Sequence, residues 1–275
     1  MSEFKVSIIM GIYNCESTLS MSIDSILSQT FKEWELIMCD DGSQDNTSAI
    51  ALQYSLSYPN KIKVLKNDKN EGLNFTLNKC FQVATGNFIA RQDGDDLSLP
   101  NRLEKLYEFL IQNPAISIVS SKMIHFDEHG DFGISKVVLR PTKNDFIFGT
   151  PFCHAASMFK RNAFISVNGY SESKFLIRVE DYDLWSKMYS KGFLGANIED
   201  PLYKMRDDRN AMIRRKFKFR INESIALFYS YRRLKINILY YIFILRPLII
   251  GLLPIKIYYF FRKKKFKTQS NFFDN

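Results

Sequence analysis

Residues 88–96, with the sequence FIARQDGDD, place three aspartates directly after a short apolar run. The segment 87–90 predicts a strand that is buried on both faces of a parallel sheet. Asp93, Gly94 and Asp95 then form a DxD pattern. Because ligands of such sheets bind beyond the carboxyl ends of the strands, we expect these acids to border a cleft.

The flanking sequence alternates strands and helices. Strands are predicted at residues 6–10, 34–38 and 62–65, with helices at about 19–27, 45–58 and 72–81. This alternation indicates βαβ units and a parallel sheet. Further on, residues 103–109 predict a helix and residues 116–119 a strand. Residues 127–131 are typical of a hairpin turn, which argues against a metal site built from His125 and His129.

Charge is unevenly distributed along the chain. Residues 214–275 carry 15 Lys and Arg against two acids, whereas the rest has 27 acids and 23 bases. A slightly acidic body with a basic tail suggests that the tail meets membrane lipid or nucleic acid.

The four cysteines are widely spaced and the chain has three histidines, so neither a disulfide framework nor a zinc site is expected. Residues 1–5 lead directly into a predicted strand and lack the features of a secretory signal. A reducing, cytosolic environment fits this pattern best.

Two further segments combine acids with an apolar element. Residues 38–43 (MCDDGS) end the second predicted strand, and residues 180–185 (EDYDLW) begin a helical pattern. Each has a purely structural interpretation, since Asp, Gly and Ser favour tight turns and acids stabilise helix N-termini. The DxD pattern alone is also a weak signal, because acids cluster in many solvated loops.

Taken together, these segments resemble the family-2 glycosyltransferases, which are inverting enzymes with the GT-A nucleotide-diphospho-sugar transferase fold. The resemblance covers roughly residues 4–210. It includes residues 6–14, 25–31, 40–45 and 70–72 as well as the DxD segment and the Glu180–Asp181 pair. The order and spacing of these motifs are far more specific than any one motif. The expected fold is therefore α/β, with a mostly parallel central sheet flanked by helices.

The resemblance implies a donor site and a metal site. Asp41 would accept a hydrogen bond from the nucleotide base, most often uracil, and the backbone from Gly11 to Tyr13 would line the base and ribose pocket. Asp93 would face the ribose or the metal, and Arg91 is a further donor-binding candidate. The principal ligand for Mn²⁺ or Mg²⁺ would be Asp95. Gly11 stands where the family usually has proline.

The resemblance also implies the catalytic groups. Asp181 would be the general base, with Glu180 as its neighbour. His154 matches a histidine often found near the acceptor or the metal, although a structural role is equally open. Arg206 stands where many relatives carry histidine, so it would pair with phosphate rather than bind metal.

The basic tail predicts membrane association. Residues 236–261 are strongly apolar but are interrupted by Arg246 and two prolines, which disfavours a simple spanning helix. The basic run at 262–265 suits anionic headgroups. We therefore divide the chain into a catalytic domain, 1–210, and a helical extension, 211–275, that docks on the inner leaflet as an interfacial or shallowly re-entrant segment. The alternative is a pair of helices packed on the catalytic domain.

The sequence thus predicts a metal-dependent inverting glycosyltransferase at the cytoplasmic face of the membrane. It would move a sugar from a nucleotide-sugar, with a UDP-sugar as the expected donor, to a saccharide or lipid-linked acceptor in surface polysaccharide biosynthesis. A nucleotidyltransferase is less favoured because residues 11–16 contain no basic residue. A non-catalytic nucleotide-sugar-binding relative is a further alternative. Nucleic-acid binding by the tail is not expected, since its bases are interleaved with aliphatic runs.

Overall fold

A computed structural model describes residues 5–207 and 217–252. Its strands are β1 (Val6–Ile12), β2 (Trp34–Asp40), β3 (Ile62–Lys66), β4 (Phe88–Arg91), β5 (Leu97–Ser98), β6 (Ile116–Asp127), β7 (Gly130–Ile134), β8 (Met158–Lys160) and β9 (Leu194–Arg206). Its helices are α1 (Leu19–Leu27), α2 (Thr47–Ser57), α3 (Leu73–Val83), α4 (Arg102–Gln112), α5 (Arg161–Ser166), α6 (Glu180–Ser190), α7 (Phe217–Leu234) and α8 (Arg246–Leu252). Short 3-10 helices cover Lys143–Ile147 and Ile238–Leu245.

The strands form one mixed sheet in the order β3-β2-β1-β4-β8-β6-β9-β5, with β7 added beside β6. The first four strands of this order are parallel, as the βαβ pattern predicts. Their carboxyl ends therefore share one edge, where the chain continues into the turns after β1, β2 and β4. Beyond β4 the sheet contains strands of both directions. Strand β8 is antiparallel to β4, whereas β6 and β9 are parallel to each other.

Helices cover both faces of this sheet, because successive residues of a buried strand point to opposite sides. Ile9 packs in a core with α3, α5, α6 and α7, whereas Ile8 and Met10 pack in a second core with α1, α2 and α4. Both faces of β1 are therefore buried, which explains its continuous apolar sequence.

Two local predictions can be compared with the structure. The hairpin at residues 127–131 is confirmed, since Asp127 pairs with Gly130 where β6 turns into β7. The first strand, however, continues two residues beyond its predicted end at residue 10, so Gly11 lies within β1 opposite Cys39. The parallel partner β2 extends the strand because its backbone continues alongside to Asp40.

The C-terminal helix α7 packs against α6. Arg233 of α7 forms an ion pair of 3.0 Å with Asp183 of α6, and Ser230 donates a hydrogen bond of 2.9 Å to Ser186. Tyr231 is buried and donates to the carbonyl of Ile147. This part of the extension therefore contributes to the same core as α6.

Within residues 5–207 and 217–252, no helix combines the length and apolar character needed to cross a bilayer. The predicted apolar segment, 236–261, is described as far as residue 252, and the basic run 262–265 lies outside the described residues. Membrane association of the extension stays a prediction.

Candidate active site

The turn after β4 brings three carboxylates together. One oxygen from each of Asp93, Asp95 and Asp96 lies within 4.8 Å of the others. The backbone NH of Arg206 donates to Asp96 at 2.7 Å, which ties the turn to the end of β9. Clustered carboxylate oxygens suit Mn²⁺ or Mg²⁺, so the residues present fit the predicted metal.

Electrostatic repulsion within this turn favours a bound cation. Burial and repulsion from Asp93 raise the pKa of Asp95. Burial, with repulsion from both neighbours, raises the pKa of Asp96 well above its usual range. A divalent cation would offset this repulsion and keep the carboxylates ionised.

Arg91 fixes the orientation of Asp93. Its guanidinium is buried and forms a two-point ion pair, Nη1 to Oδ2 at 2.9 Å and Nη2 to Oδ1 at 2.6 Å. Burial alone would lower the pKa of Arg91, but Asp93, together with Tyr170 and Tyr203, more than offsets it and raises the pKa above its usual value. The guanidinium therefore stays charged and holds Asp93 in a defined orientation.

Asp41 organises the loop that borders the cleft. Its Oδ1 accepts hydrogen bonds from Asn67 and from the backbone NH of Glu71, and its Oδ2 accepts one from the NH of Gly72, each at 2.9 Å. Gly72 has φ of +94°, a conformation that other residues rarely adopt. The side chain of Asp41 is buried, and Oδ2 retains one further acceptor position.

Gly11 allows α3 to approach β1. A Cβ atom at this position would lie 2.9 Å from Cδ1 of Leu73 and 3.3 Å from Cγ2 of Thr76. The structural reason for glycine is therefore close packing of a helix on the strand. Tyr13 follows the end of β1 and is about half exposed, so its ring is available at the surface.

Glu180 and Asp181 occupy the first turn of α6. Burial and repulsion from Asp181 raise the pKa of Glu180 to about 7. Burial also raises the pKa of Asp181, and the NH of Tyr182, which donates to Asp181 at 2.7 Å, partly opposes this shift. A partly buried carboxylate with a raised pKa is a better proton acceptor than a solvated one.

His154 lies beside Arg91 but outside the carboxylate cluster. Its Nε2 and the hydroxyl of Tyr170 share a hydrogen bond of 2.7 Å, and its ring packs edge-on against Trp185. Burial, reinforced by the charge of Arg91, lowers the pKa of His154 well below its usual range, so the imidazole is neutral. Among the described residues, the potential metal-binding group consists of aspartates and does not include His154.

A cleft of 1030 Å³ connects several of these groups. Its wall includes five predicted site residues: Arg91, Asp93, His154, Glu180 and Asp181. It also includes the loop 70–74, which Asp41 supports. The other predicted residues, Gly11, Tyr13, Asp41 and Asp95, are not part of this wall. The tertiary structure thus brings together the acids of β4 and α6 that are separated by almost 90 positions.

Three residues near the site received no specific role from the sequence. Asp96 completes the carboxylate cluster. Its position directly after the DxD pattern was the sequence feature that could have identified it as a third ligand candidate. Asp40 has a buried Oδ2 without a hydrogen-bond partner among the described residues. Arg102 is fully buried and donates to Gln92, Ser98 and the carbonyls of Arg91 and Ala155, so it braces the turn after β4. An arginine in an amphipathic helix gives no sequence signal of such burial.

Comparison with known proteins identifies the family. The sequence profile described as Glycosyl transferase family 2 matches residues 7–218. The chain is 44% identical over 265 residues to the Bacillus subtilis (strain 168) protein named "Putative glycosyltransferase EpsE", covering 96% of this chain and 95% of that protein. The chain therefore belongs to glycosyltransferase family 2 and is a glycosyltransferase.

Two further similarities agree with this assignment. An Escherichia coli protein named UDP-Gal:alpha-D-GlcNAc-diphosphoundecaprenol beta-1,3-galactosyltransferase is 33% identical over 240 residues, covering 83% of this chain and 84% of that protein. The crystal structure of S. aureus TarS 1-349 in complex with UDP superposes with a TM-score of 0.67 at 19% identity, covering 89% of this chain and 70% of that one. The structural similarity confirms the GT-A-like α/β fold with its mostly parallel sheet.

Proposed function

We propose that this protein is a metal-dependent inverting glycosyltransferase that moves a sugar from a UDP-sugar to a hydroxyl of a saccharide or lipid-linked acceptor in surface polysaccharide biosynthesis. The observation that carries the proposal is the shared cleft, whose wall contains Asp93 of the carboxylate cluster and Asp181 of the partly buried acidic pair. Donor binding and proton transfer both need carboxylates, and the two requirements meet in one cavity of the size of a small-molecule site.

The donor would bind along the loop 70–74 and the end of β4. Asp41 has an acceptor position left on Oδ2 for the base, close to the backbone between Gly11 and Tyr13. Arg91 and Asp93 form a rigid charged pair in the cleft wall. The solved relative with UDP supports uracil as the base, since it shares the fold.

Asp95, with Asp93 and Asp96, would hold Mn²⁺ or Mg²⁺. When bound, the metal supplies positive charge to the diphosphate of the leaving nucleotide. Arg206 adds a fixed cation near this cluster, since its Nε donates to the carbonyl of Asp95 at 3.2 Å. The chain's own residues therefore provide both the ligand oxygens and a neighbouring guanidinium for a leaving group that becomes more negative.

Asp181 would take the proton from the acceptor hydroxyl as that oxygen attacks the anomeric carbon. The bond from the anomeric carbon to the diphosphate oxygen breaks in the same step, so the anomeric configuration inverts. The charge of Asp181 raises the pKa of its neighbour Glu180, because two adjacent carboxylates resist simultaneous ionisation. His154 is neutral and bonded to Tyr170, which fits a role in shaping the acceptor side.

The acceptor class follows from the relatives and from the composition of the extension. The galactosyltransferase relative is named for an acceptor in which GlcNAc is linked through diphosphate to undecaprenol. A lipid-linked acceptor agrees with a basic, apolar C-terminal extension, which would hold the enzyme at the anionic cytoplasmic face of the membrane. This reading keeps residues 1–210 as the catalytic domain and 211–275 as the membrane-associating extension.

The first test is turnover of a donor panel by the full-length protein. UDP-glucose, UDP-galactose, UDP-GlcNAc and GDP-mannose would each be incubated with Mn²⁺, with Mg²⁺ or with EDTA, and release of the nucleoside diphosphate would be measured. We expect one UDP-sugar to be turned over with metal and not with EDTA. Turnover in EDTA equal to that with Mn²⁺ or Mg²⁺ would show that the reaction does not depend on a metal.

This panel and a second incubation with nucleoside triphosphates and sugar phosphates separate the alternatives. A non-catalytic relative would bind UDP but release no nucleoside diphosphate from any donor, with or without acceptor. A nucleotidyltransferase would instead form a nucleotide-sugar from a nucleoside triphosphate and a sugar phosphate, with release of inorganic diphosphate.

A further inference from the structure

A second cavity, of 360 Å³, lies between the loop at 147–150, the start of α6 and the C-terminal helices α7 and α8. Thr150, Arg178 and Asp181 line both this cavity and the donor cleft. The two cavities therefore meet at the proposed general base. An attacking hydroxyl must approach the anomeric carbon from the side opposite the leaving group, and a second cavity at Asp181 provides a separate approach.

Three arginines line this second cavity. Arg220 forms an ion pair of 2.8 Å with Glu223, which is also in the wall. Arg246 donates to the carbonyl of Phe148 at 3.4 Å, and the guanidinium of Arg178 lies 5.2 Å from the ring centre of Phe219. Arg178 and Arg246 form no ion pair with an acid among the described residues. Apart from Asp181, the charged residues of the wall are these three arginines and Glu223.

The backbone at Arg178 supports a functional reason for this residue. Its φ is +67°, a left-handed conformation in which a residue with a Cβ is strained. Glycine or asparagine would fit this position better. An exposed arginine held in this conformation beside a cavity is the kind of strain that collects at binding sites.

The C-terminal elements that line this cavity also carry exposed apolar residues. Along the 3-10 helix Ile238–Leu245 and helix α8, Ile238, Leu239 and Leu252 are more than 70% exposed. Ile242 and Ile249 are also largely exposed on these elements. Phe243 and Ile250 from the same elements line the cavity itself. The apolar surface and the arginines therefore lie on the same C-terminal structure.

We propose that this second cavity binds the phosphate or diphosphate of a lipid-linked acceptor, with Arg178, Arg220 and Arg246 facing the anion. The polyprenyl chain then lies along the exposed apolar residues of 238–252, and the sugar at the other end of the diphosphate reaches Asp181. The inference rests on the proposed function for the role of Asp181. It adds the anion site and the path of the lipid, which the acidic motifs do not address.

The test measures binding of farnesyl diphosphate, farnesol and inorganic diphosphate to the full-length protein by titration calorimetry, in the presence of saturating UDP. UDP fills the donor cleft, so remaining binding reports a separate site. We expect farnesyl diphosphate to bind in the presence of UDP, with inorganic diphosphate and farnesol each binding more weakly. Displacement of farnesyl diphosphate by UDP would overturn the proposal.

Variants of the wall locate the binding site. Arg246→Gln and Arg178→Gly should each weaken farnesyl diphosphate by about 10- to 100-fold, the effect of losing a charged hydrogen bond. Arg178→Gly also relieves the left-handed strain, so it tests the site without a risk to folding. The matched control is Arg232→Gln, an exposed arginine of α7 outside the cavity wall.

If Arg232→Gln weakens farnesyl diphosphate binding as much as the wall variants do, the ligand is attracted by the overall positive charge and the proposed site is wrong. Unchanged binding in both wall variants would also overturn the proposed site. UDP affinity is measured for every variant. Absence of UDP binding by the parent protein would contradict the proposed function. UDP binding together with a farnesyl diphosphate affinity that the wall substitutions leave unchanged would contradict this inference alone.

Discussion

The acidic turn after β4 and the acidic first turn of α6 border the same cleft, but their carboxylates differ in environment. Asp93 has a two-point ion pair with Arg91, and its neighbours cluster within 4.8 Å. Glu180 and Asp181 form no ion pair with Lys or Arg among the described residues, and burial raises the pKa of both. The first arrangement favours a bound cation, and the second favours a bound proton.

This difference is produced by the surroundings and not by residue type. At the end of β4, the turn gathers several carboxylates around one point, where a cation can replace the lost solvation. At α6, the helix N-terminus favours negative charge, but removal from water outweighs that effect and keeps proton affinity high. Similar acids thus acquire two chemical roles in one cleft.

The largest expected effect comes from removing the proton acceptor. Asp181→Asn keeps the size of the side chain but cannot take the acceptor proton, so we expect transfer to fall by about 10³-fold. UDP affinity, measured by calorimetry, should be retained because the carboxylate cluster is unchanged. Asp131→Asn in β7 is the matched control, since Asp131 pairs with Lys204 at the surface. Full activity of Asp181→Asn would mean that another residue is the general base.

The next effect comes from weakening the cation site. Asp95→Asn should lower metal-dependent turnover by about 10²-fold, because it removes one ligand charge beside the developing negative charge of the leaving group. More Mn²⁺ should be needed for half-maximal rate, which a metal titration measures. An unchanged metal requirement would show that Asp95 is not a ligand.

A smaller effect concerns the dependence of stability on pH. The folded protein holds the proton of Glu180 up to about pH 7, whereas the unfolded chain releases it near the ordinary value of 4.5. As pH rises between these values, the unfolded state binds fewer protons, so this group lowers the free energy of unfolding. Glu180→Gln should remove this loss, with a gain of about 3 kcal/mol at most at pH 8.

Urea unfolding of both proteins at pH 5 and pH 8 measures this difference. The gain of Glu180→Gln over the parent should be larger at pH 8 than at pH 5. The opposite order, a larger gain at pH 5, would mean that the pKa of Glu180 is not raised in the folded protein.

The smallest effect concerns the support of α6. Arg233→Met removes the ion pair with Asp183 and should cost about 1–2 kcal/mol, since Lys187 and Ser171 still contact that carboxylate. Thermal unfolding measures the loss, and Arg232→Met on the exposed side of α7 serves as control. A loss no greater than that of the control would mean that α7 does not stabilise the catalytic helix through this pair.

Part of this molecule could be predicted from short-range pattern. Apolar runs at 6–10, 34–38 and 62–65 fall within the observed strands, and the alternation of strands with helices gives the parallel half of the sheet. The full length of β1 could not be predicted. Its last two residues, Gly11 and Ile12, belong to the strand because they pair with β2, and a glycine in the sequence gives no sign of that pairing. Packing of α7 on α6 through Arg233 and Asp183 likewise depends on residues 50 positions apart.

The sequence by itself determined the alternation of strands and helices in the first 100 residues and the positions of the acids at the ends of elements, since both follow from local periodicity. The family followed from the resemblance of its ordered motifs. Only the tertiary structure decided that Asp93 and Asp181 share one cleft, that Asp41 is held by Asn67 and Gly72, and that Glu180 has a pKa of about 7. The physical reason is that burial and Coulomb interactions depend on which groups surround a side chain. Those neighbours come from distant parts of the chain, and local sequence carries no measure of their distance.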